Sequence, residues 1–224
     1  MKKLISPLIL FLLLGVQLSG QKVTVKAGDD LDFAMSSSRY LFPQFEDARV
    51  FLKNEATTAK MNYNALTGQM DFINDDGEIV TLSSNAQLIL FGKRAFKNTP
   101  KGYVEVISDN PGLSELLLHK RYKATGNKRT SAYGMPDETS SLGSFYSVHV
   151  NQGISLNLNE EVTYTVTDTY YIFAAGKYLL ANKAGFTKAF GKQRPGLDKY
   201  LKEEPVNFSK QEDLIRLYTF CIQE

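Results

Sequence analysis

Short apolar bursts separated by turn residues limit this chain to a small set of folds. Between Val50 and Leu118 the bursts are Val50–Leu52, Ala59–Tyr63, Met70–Ile73, Ile79–Leu82, Leu88–Phe91, Tyr103–Ile107 and Leu116–Leu118. Between them lie Lys53–Glu55, Leu66–Gly68, Asn74–Gly77, Asn98–Pro100 and Asp109–Gly112. A helix needs its 3.6-residue period sustained over ten or more residues, which these bursts do not supply. Strand-length runs punctuated by Asn, Asp, Gly and Pro make an antiparallel meander instead. Where alternation can be tested, it is present. Ala59, Met61 and Tyr63 fall on one side of a strand and Lys60 and Asn62 on the other, and Met70 and Phe72 flank Asp71. Asp76-Gly77 suits a tight hairpin, because Gly accepts the positive φ such turns require.

A second strand block is expected from Phe145 to Ala181. Ile154, Leu156 and Leu158 alternate with Ser155 and Asn157, and Val162, Tyr164 and Val166 alternate with Thr163 and Thr165. Tyr171–Phe173 and Tyr178–Leu180 bracket a hairpin loop at Ala174–Lys177. After about residue 184 the character changes. Phe186–Phe190 reads as a short helical turn, and Leu197, Tyr200 and Leu201 as a helix ended by Pro205. Ser209-Lys210-Gln211-Glu212 matches a capping box ahead of an amphipathic run, which predicts a helix over 209–222. The fold class that follows is α+β. It is mainly antiparallel β, a barrel-like or sandwich meander, with two to three C-terminal helices. Gly28–Arg39 is polar and reads as irregular. Thr125–Ser144 reads as a long polar loop, and loops of that length are commonly functional.

The first twenty residues carry an address. Lys2 and Lys3 precede an apolar run from Leu4 to Leu14, then small or neutral residues up to Gly20. That order predicts a secretory signal peptide over 1–20, with a single β-rich domain over 21–224. The run is short of the roughly 20 residues that span a bilayer, so no transmembrane segment is expected after cleavage. No Cys follows Gly20, which closes the lipoprotein route. The 26 basic and 24 acidic residues become 24 and 24 once Lys2 and Lys3 are removed. Nucleic-acid binding normally needs a clear basic excess and is not expected. Cys221 is the chain's only cysteine, so no intrachain disulfide forms. Its spacing from Leu214 and Tyr218 places it on the apolar face of the last helix, as a buried thiol.

Catalytic and metal-binding patterns are mostly missing. His119, expected at a strand end beside Lys120 and Arg121, and His149, between Val148 and Val150, form no ligand pair with Cys221 at metal spacing. Asn74-Asp75-Asp76-Gly77-Glu78 resembles a calcium-loop fragment, but its ligand spacing is wrong and a hairpin turn accounts for it. No Gly-x-Ser-x-Gly elbow or phosphate-cradling Gly-rich loop occurs. The pairs Glu46-Asp47, Glu160-Glu161, Glu203-Glu204 and Glu212-Asp213 read as solvated surface. No catalytic residue, cofactor or metal is assigned. One basic stretch stands out: Lys120, Arg121, Lys123, Lys128 and Arg129 surround the start of the long loop, with Tyr133 and Met135 following. Lys128, Arg129, Tyr133 and Met135 are the candidate partner contacts.

Two passages carry a resemblance. One is Lys60-Met61-Asn62-Tyr63-Asn64 followed by Gly68-Gln69-Met70-Asp71-Phe72. The other is Phe186-Thr187-Lys188-Ala189-Phe190, then Leu197-Asp198-Lys199-Tyr200-Leu201 and Val206-Asn207-Phe208. Together they resemble uncharacterised secreted proteins of Bacteroidetes type, in which a β-rich body precedes a short helical tail. The resemblance implies a Gram-negative envelope, periplasmic or outer-membrane-associated, and brings no activity with it. The expected function is a non-catalytic exported envelope protein that binds a protein or a cell-surface component. The alternatives are a β-barrel carrier of a small apolar ligand or lipid, and a hydrolase with a site of scattered Asp, Glu and Tyr.

Overall fold

The structure, a computed structural model, describes residues 21–83, 86–126, 161–192 and 194–223. The proposed leader, most of the predicted loop (127–144) and the first part of the predicted second strand block (145–160, with His149 and Ile154–Leu158) lie outside them. One antiparallel sheet runs through the described residues. Its strands are β1 (Lys22–Val25), β2 (Glu46–Phe51), β3 (Ala56–Asn64), β4 (Gln69–Ile73), β5 (Ile79–Thr81), β6 (Leu88–Phe91), β7 (Arg94–Thr99), β8 (Gly102–Asn110), β9 (Ser114–Gly126), β10 (Val162–Ala174) and β11 (Lys177–Leu180). The spatial order is β1-β10-β9-β8-β7-β6-β2-β3-β4-β5, with β11 also paired to β10. The sheet is not closed into a barrel. The mainly antiparallel body with a helical C-terminus is as the sequence rhythm predicts.

The sheet nevertheless folds over itself. β8 begins at Gly102, while β9 continues past that level. There the β3–β4 turn takes the vacant edge: Tyr122 N–H donates to the Ala65 carbonyl and Tyr103 N–H to the Gly68 carbonyl, each at 2.9 Å. Tyr63 adds a third link, its hydroxyl donating to the Lys120 carbonyl at 2.6 Å. The enclosed core draws Val50, Met61, Tyr63, Met70, Ile89, Phe96, Tyr122, Val162, Tyr164 and Val166 from seven strands.

A second core lies on the same face of β9 and β10, towards their other end. Leu116, Leu118, Tyr170 and Ile172 meet helices α2 (Lys183–Phe190), α3 (Leu197–Glu203) and α4 (Gln211–Ile222). α4 buries Leu214, Leu217, Tyr218 and Cys221, the apolar stripe its spacing predicts. The Tyr218 hydroxyl is satisfied inside by Ser114 Oγ at 2.9 Å.

Several local expectations are corrected. Gly28–Arg39 is not irregular: it holds helix α1 (Leu31–Met35), whose N-cap Asp30 accepts from Phe33 N–H at 2.8 Å and whose Leu31 and Met35 are buried. α4 begins at Gln211 rather than 209, and the capping box is not made. Asn207 Oδ1 takes the Ser209 N–H that the box would give to Glu212, and the Asp213 carboxylate in turn holds the Asn207 N–H. Asn98 and Thr99 end β7 instead of starting a turn, and β7 was hidden because Phe96 is its one fully buried residue. β9 runs to Gly126, so the first two residues of the expected loop are strand, and His119 sits in mid-strand rather than at an end.

Gly102 has φ +100°, and a Cβ there would lie 2.5 Å from the Gly68 carbonyl oxygen. Gly102→Ala is therefore expected to lower unfolding free energy by roughly 2 kcal/mol or more, since neither strain nor clash can relax cheaply. Urea denaturation against the parent protein measures it.

Candidate functional site

Strict alternation gives β9 and β10 two unlike faces. Even-numbered positions enter the two cores, and odd-numbered positions take the opposite face, which is exposed at Lys22 and Thr24 of β1 and at Lys123 but buried at Leu117 and His119. On β10 the outward row is Thr163, Thr165, Thr167, Thr169 and Tyr171; on β9 it includes His119, Arg121 and Lys123. β1 contributes Lys22 and Thr24. The cross-strand rows are Thr24 with Thr163, Lys22 with Thr165 and Lys123, Thr167 with Arg121, and Thr169 with His119. The Thr24 and Thr163 hydroxyls lie 3.0 Å apart. Lys101 reaches over the edge, its Nζ 5.7 Å from the Tyr171 ring centre. Beyond Tyr171, Phe173 packs on Tyr178, and Tyr178 and Leu180 are exposed. Among the described residues of β1, β9 and β10, no acidic side chain falls on this face between Thr163 and Tyr171.

The local electrostatics follow from that arrangement. His119 is buried, and its Nε2 has no hydrogen-bond partner among the described residues; Arg121 Nε is in the same position. Burial, and then the charges of Arg121, Lys101 and Lys123, hold the imidazole down to about 4. Arg121 is anchored by donating from Nη2 to the Leu66 carbonyl at 3.2 Å. Gly68 packs so close that a Cβ would sit 3.2 Å from Arg121 Cδ and 3.3 Å from His119 Nε2.

The acidic groups of the interior are all engaged. Asp71 accepts from the Tyr40 hydroxyl, Asn64 Nδ2 and the Thr81 hydroxyl at 3.1, 2.9 and 2.8 Å. Glu105 takes a bidentate pair from Arg94 at 2.6 and 2.7 Å. Asp168 pairs with Lys120, and on the outward face Glu115, opposite Phe173, pairs with Lys97. Asn62, buried, holds the 42–44 segment through Phe42 and Gln44. The Asn62, Tyr63, Asn64 and Asp71 side chains of the first resemblance passage thus hold the fold together. Among the described residues no cluster of three or more His, Cys, Asp or Glu could bind a metal ion.

A cleft among the described residues is large enough for a small molecule. It has a volume of about 960 Å³ and lies where the β8–β9 and β10–β11 hairpin ends meet α2 and α4. Leu113, Phe173, Phe190 and Ile222 line it, with Arg194 at one side. Cys221 borders it, but burial pushes its thiol up to about 12, which opposes thiolate chemistry.

The candidate contacts Lys128, Arg129, Tyr133 and Met135 lie outside the described residues. Of the remaining basic tract, the structure separates what the sequence placed together: Arg121 and Lys123 face outward, while Lys120 faces inward to Asp168. Sequence reasoning missed Lys22, Lys101 and the threonine row. The signal was present, since Thr163, Thr165, Thr167 and Thr169 alternate in step with core residues. Comparisons of the chain with protein-family models, curated proteins and solved structures each find no match.

In the folded chain His119 titrates near 4, below its unfolded value of 6.5. Below pH 6.5 the unfolded state takes up a proton that the folded state refuses. Stability is thus lost as pH falls from 6.5 towards 4, by on the order of 2–3 kcal/mol from this group. His119→Leu is expected to flatten that part of the curve relative to the parent, as read by urea midpoints at each pH. Cys221, in turn, is expected to resist an aromatic disulfide reagent at pH 8 in the native protein and to react at once in denaturant; fast native labelling would contradict its burial.

Proposed function

We propose that this is a non-catalytic exported envelope protein that binds a surface component through the outward face of β1, β10 and β9. The observation that carries the reading is the cationic and hydroxylic stretch between Thr163 and Tyr171, which holds no acidic side chain among the described residues of β1, β9 and β10; Glu115, beyond it opposite Phe173, is paired with Lys97. A structural sheet face left to solvent normally intersperses both signs of charge. Here Lys22, Lys101, Arg121 and Lys123 act together on a chain whose total charge, once the leader is removed, balances to zero. The interior carboxylates, each occupied by donors, favour a binding role over a hydrolytic one. The basic, apolar and then small-residue order of positions 1–20 supports export, and the resemblance supports a periplasmic or outer-membrane-associated location. No helix among the described residues is long and apolar enough to cross a membrane.

The cleft beside α2 and α4 favours a second reading, binding of a small amphipathic ligand. Its apolar lining and Arg194 would suit an acyl chain with an acidic end. Since the sheet is not closed, such a ligand would sit at the sheet end rather than in a barrel lumen.

Cosedimentation of the purified protein with washed outer-membrane and cell-wall fractions tests the main reading. Retention at low salt, loss at high salt and loss in Lys22→Glu/Lys123→Glu are expected. If the protein stays in the supernatant under all conditions, the reading fails. A lipid recovered from the purified protein and lost on Phe190→Arg substitution would transfer the function to the cleft.

A further inference from the structure

We propose that the outward face of β1, β10 and β9 recognises an acidic polysaccharide, a sugar chain bearing carboxylate or sulfate groups. The proposal rests on the binding role argued above and names the class of partner. Three features of the face select that chemistry. The first is charge. Lys22 and Lys123 flank Thr165 in one cross-strand row, with Cα atoms about 10 Å apart at normal strand spacing. Arg121 extends the line along β9 and Lys101 closes it near Tyr171. Anionic groups spaced along a flexible polymer can meet these cations one at a time.

The second feature is the hydroxyl row. Thr163, Thr165, Thr167 and Thr169 repeat every second residue, about 6.8 Å apart. A hydroxyl can donate and accept, which matches sugar hydroxyls; Thr163 already bonds Thr24 and Thr167 donates to the Thr165 carbonyl, so these two offer mainly their remaining acceptor capacity. The third is the aromatic end. Tyr171, Phe173 and Tyr178 lie on the same face, as their pairing register requires, with Tyr178 exposed. Aromatic rings offer apolar faces with a polar tip, suited to the flat side of a sugar ring.

His119 Nε2 and Arg121 Nε are buried in its floor with no partner among the described residues. Gly68 closes over both atoms, so a ligand would meet the outer guanidinium of Arg121 and the Lys101 ammonium rather than these nitrogens. A membrane surface fits less well. The face is a flat sheet of threonines rather than a protruding apolar tip. Of the exposed large apolar side chains, only Leu180 and Tyr178 lie at its end, while Phe33, Ile79, Val80 and Leu113 belong to other parts of the molecule.

The test is equilibrium binding of the purified protein to polygalacturonate, dextran sulfate, neutral dextran and phosphatidylglycerol vesicles, at low and high salt. Binding to at least one acidic polymer, none to neutral dextran and weaker binding to vesicles are expected. Lys22→Glu/Lys123→Glu should weaken polymer binding by about tenfold or more, through lost charge complementarity. Lys22→Gln/Lys123→Gln should weaken it less, and Tyr171→Ala should weaken it at every salt concentration. Unchanged thermal melts show that each variant folds. Three outcomes overturn the proposal: no binding to either acidic polymer, binding indifferent to all three variants, or tighter binding to vesicles. If the acidic polymers fail while envelope fractions still retain the protein, the partner class falls and the binding role stands. If both fail, both fall.

Discussion

Everything distinctive in this structure depends on the β3–β4 turn seating itself against β9. A long open sheet has no reason to fold over unless its far side finds a partner for backbone groups it would otherwise leave bare. Tyr122 N–H is such a group, because β8 starts too late to meet it, and the Ala65 carbonyl supplies the acceptor. The same turn gives its Gly68 carbonyl to Tyr103 and its Leu66 carbonyl to Arg121, while neighbouring Tyr63 reaches the Lys120 carbonyl. Each bond contributes on the order of 1 kcal/mol net. Their combined effect is larger, because they hold together the two halves of the sheet and let Met61, Met70 and Phe96 share a core. Gly68 and Gly102 are glycines because two backbones approach there with no room for a Cβ.

The folding-over also explains the Lys120–Asp168 pair. These residues are directly opposed on β9 and β10, on the inward face, at the junction between the core enclosed by the sheet and the core beneath the helices. A charge placed inward is costly unless its partner is fixed. Here both come from adjacent strands in register, so little side-chain freedom remains to be lost. With both members present the pair marks where one core ends and the other begins. Removing either would leave a charge stranded between two apolar clusters.

Much of the fold was legible in the sequence, because it rests on local patterns. The Val162–Tyr164–Val166 alternation, the hairpin between Phe173 and Tyr178 and the apolar stripe of α4 all came from periods of 2 or 3.6 residues. What failed was short or competitive. α1 has five residues, too few for a period to declare itself, although Asp30 followed by Leu31 and Met35 was a cap and one helical repeat. The capping box at Ser209 was a sound local motif defeated by a stronger one, the Asn207 turn that claims the Ser209 N–H. β7 carried a single core residue, Phe96. The way the sheet folds over was not legible, because it depends on a carbonyl at position 65 meeting an N–H at position 122.

The candidate face was half legible, and the half that was missed is instructive. Reading Lys120, Arg121 and Lys123 as one basic tract treats charge as a property of a segment. On a strand it is a property of a face, and alternation sends Lys120 into the interior while Arg121 and Lys123 go outward. The charge of the outward face then comes from residues distant in sequence, Lys22 on β1 and Lys101 ahead of β8, brought together by strand order. His119 registers the result: burial and three neighbouring cations keep its imidazole neutral. Burial is the larger cause, and the positive field of Arg121, Lys101 and Lys123 that adds to it also acts on whatever rests on the face above. The turn contact that folds the sheet thus also fixes Arg121 and gathers the charge, so architecture and proposed recognition share one cause.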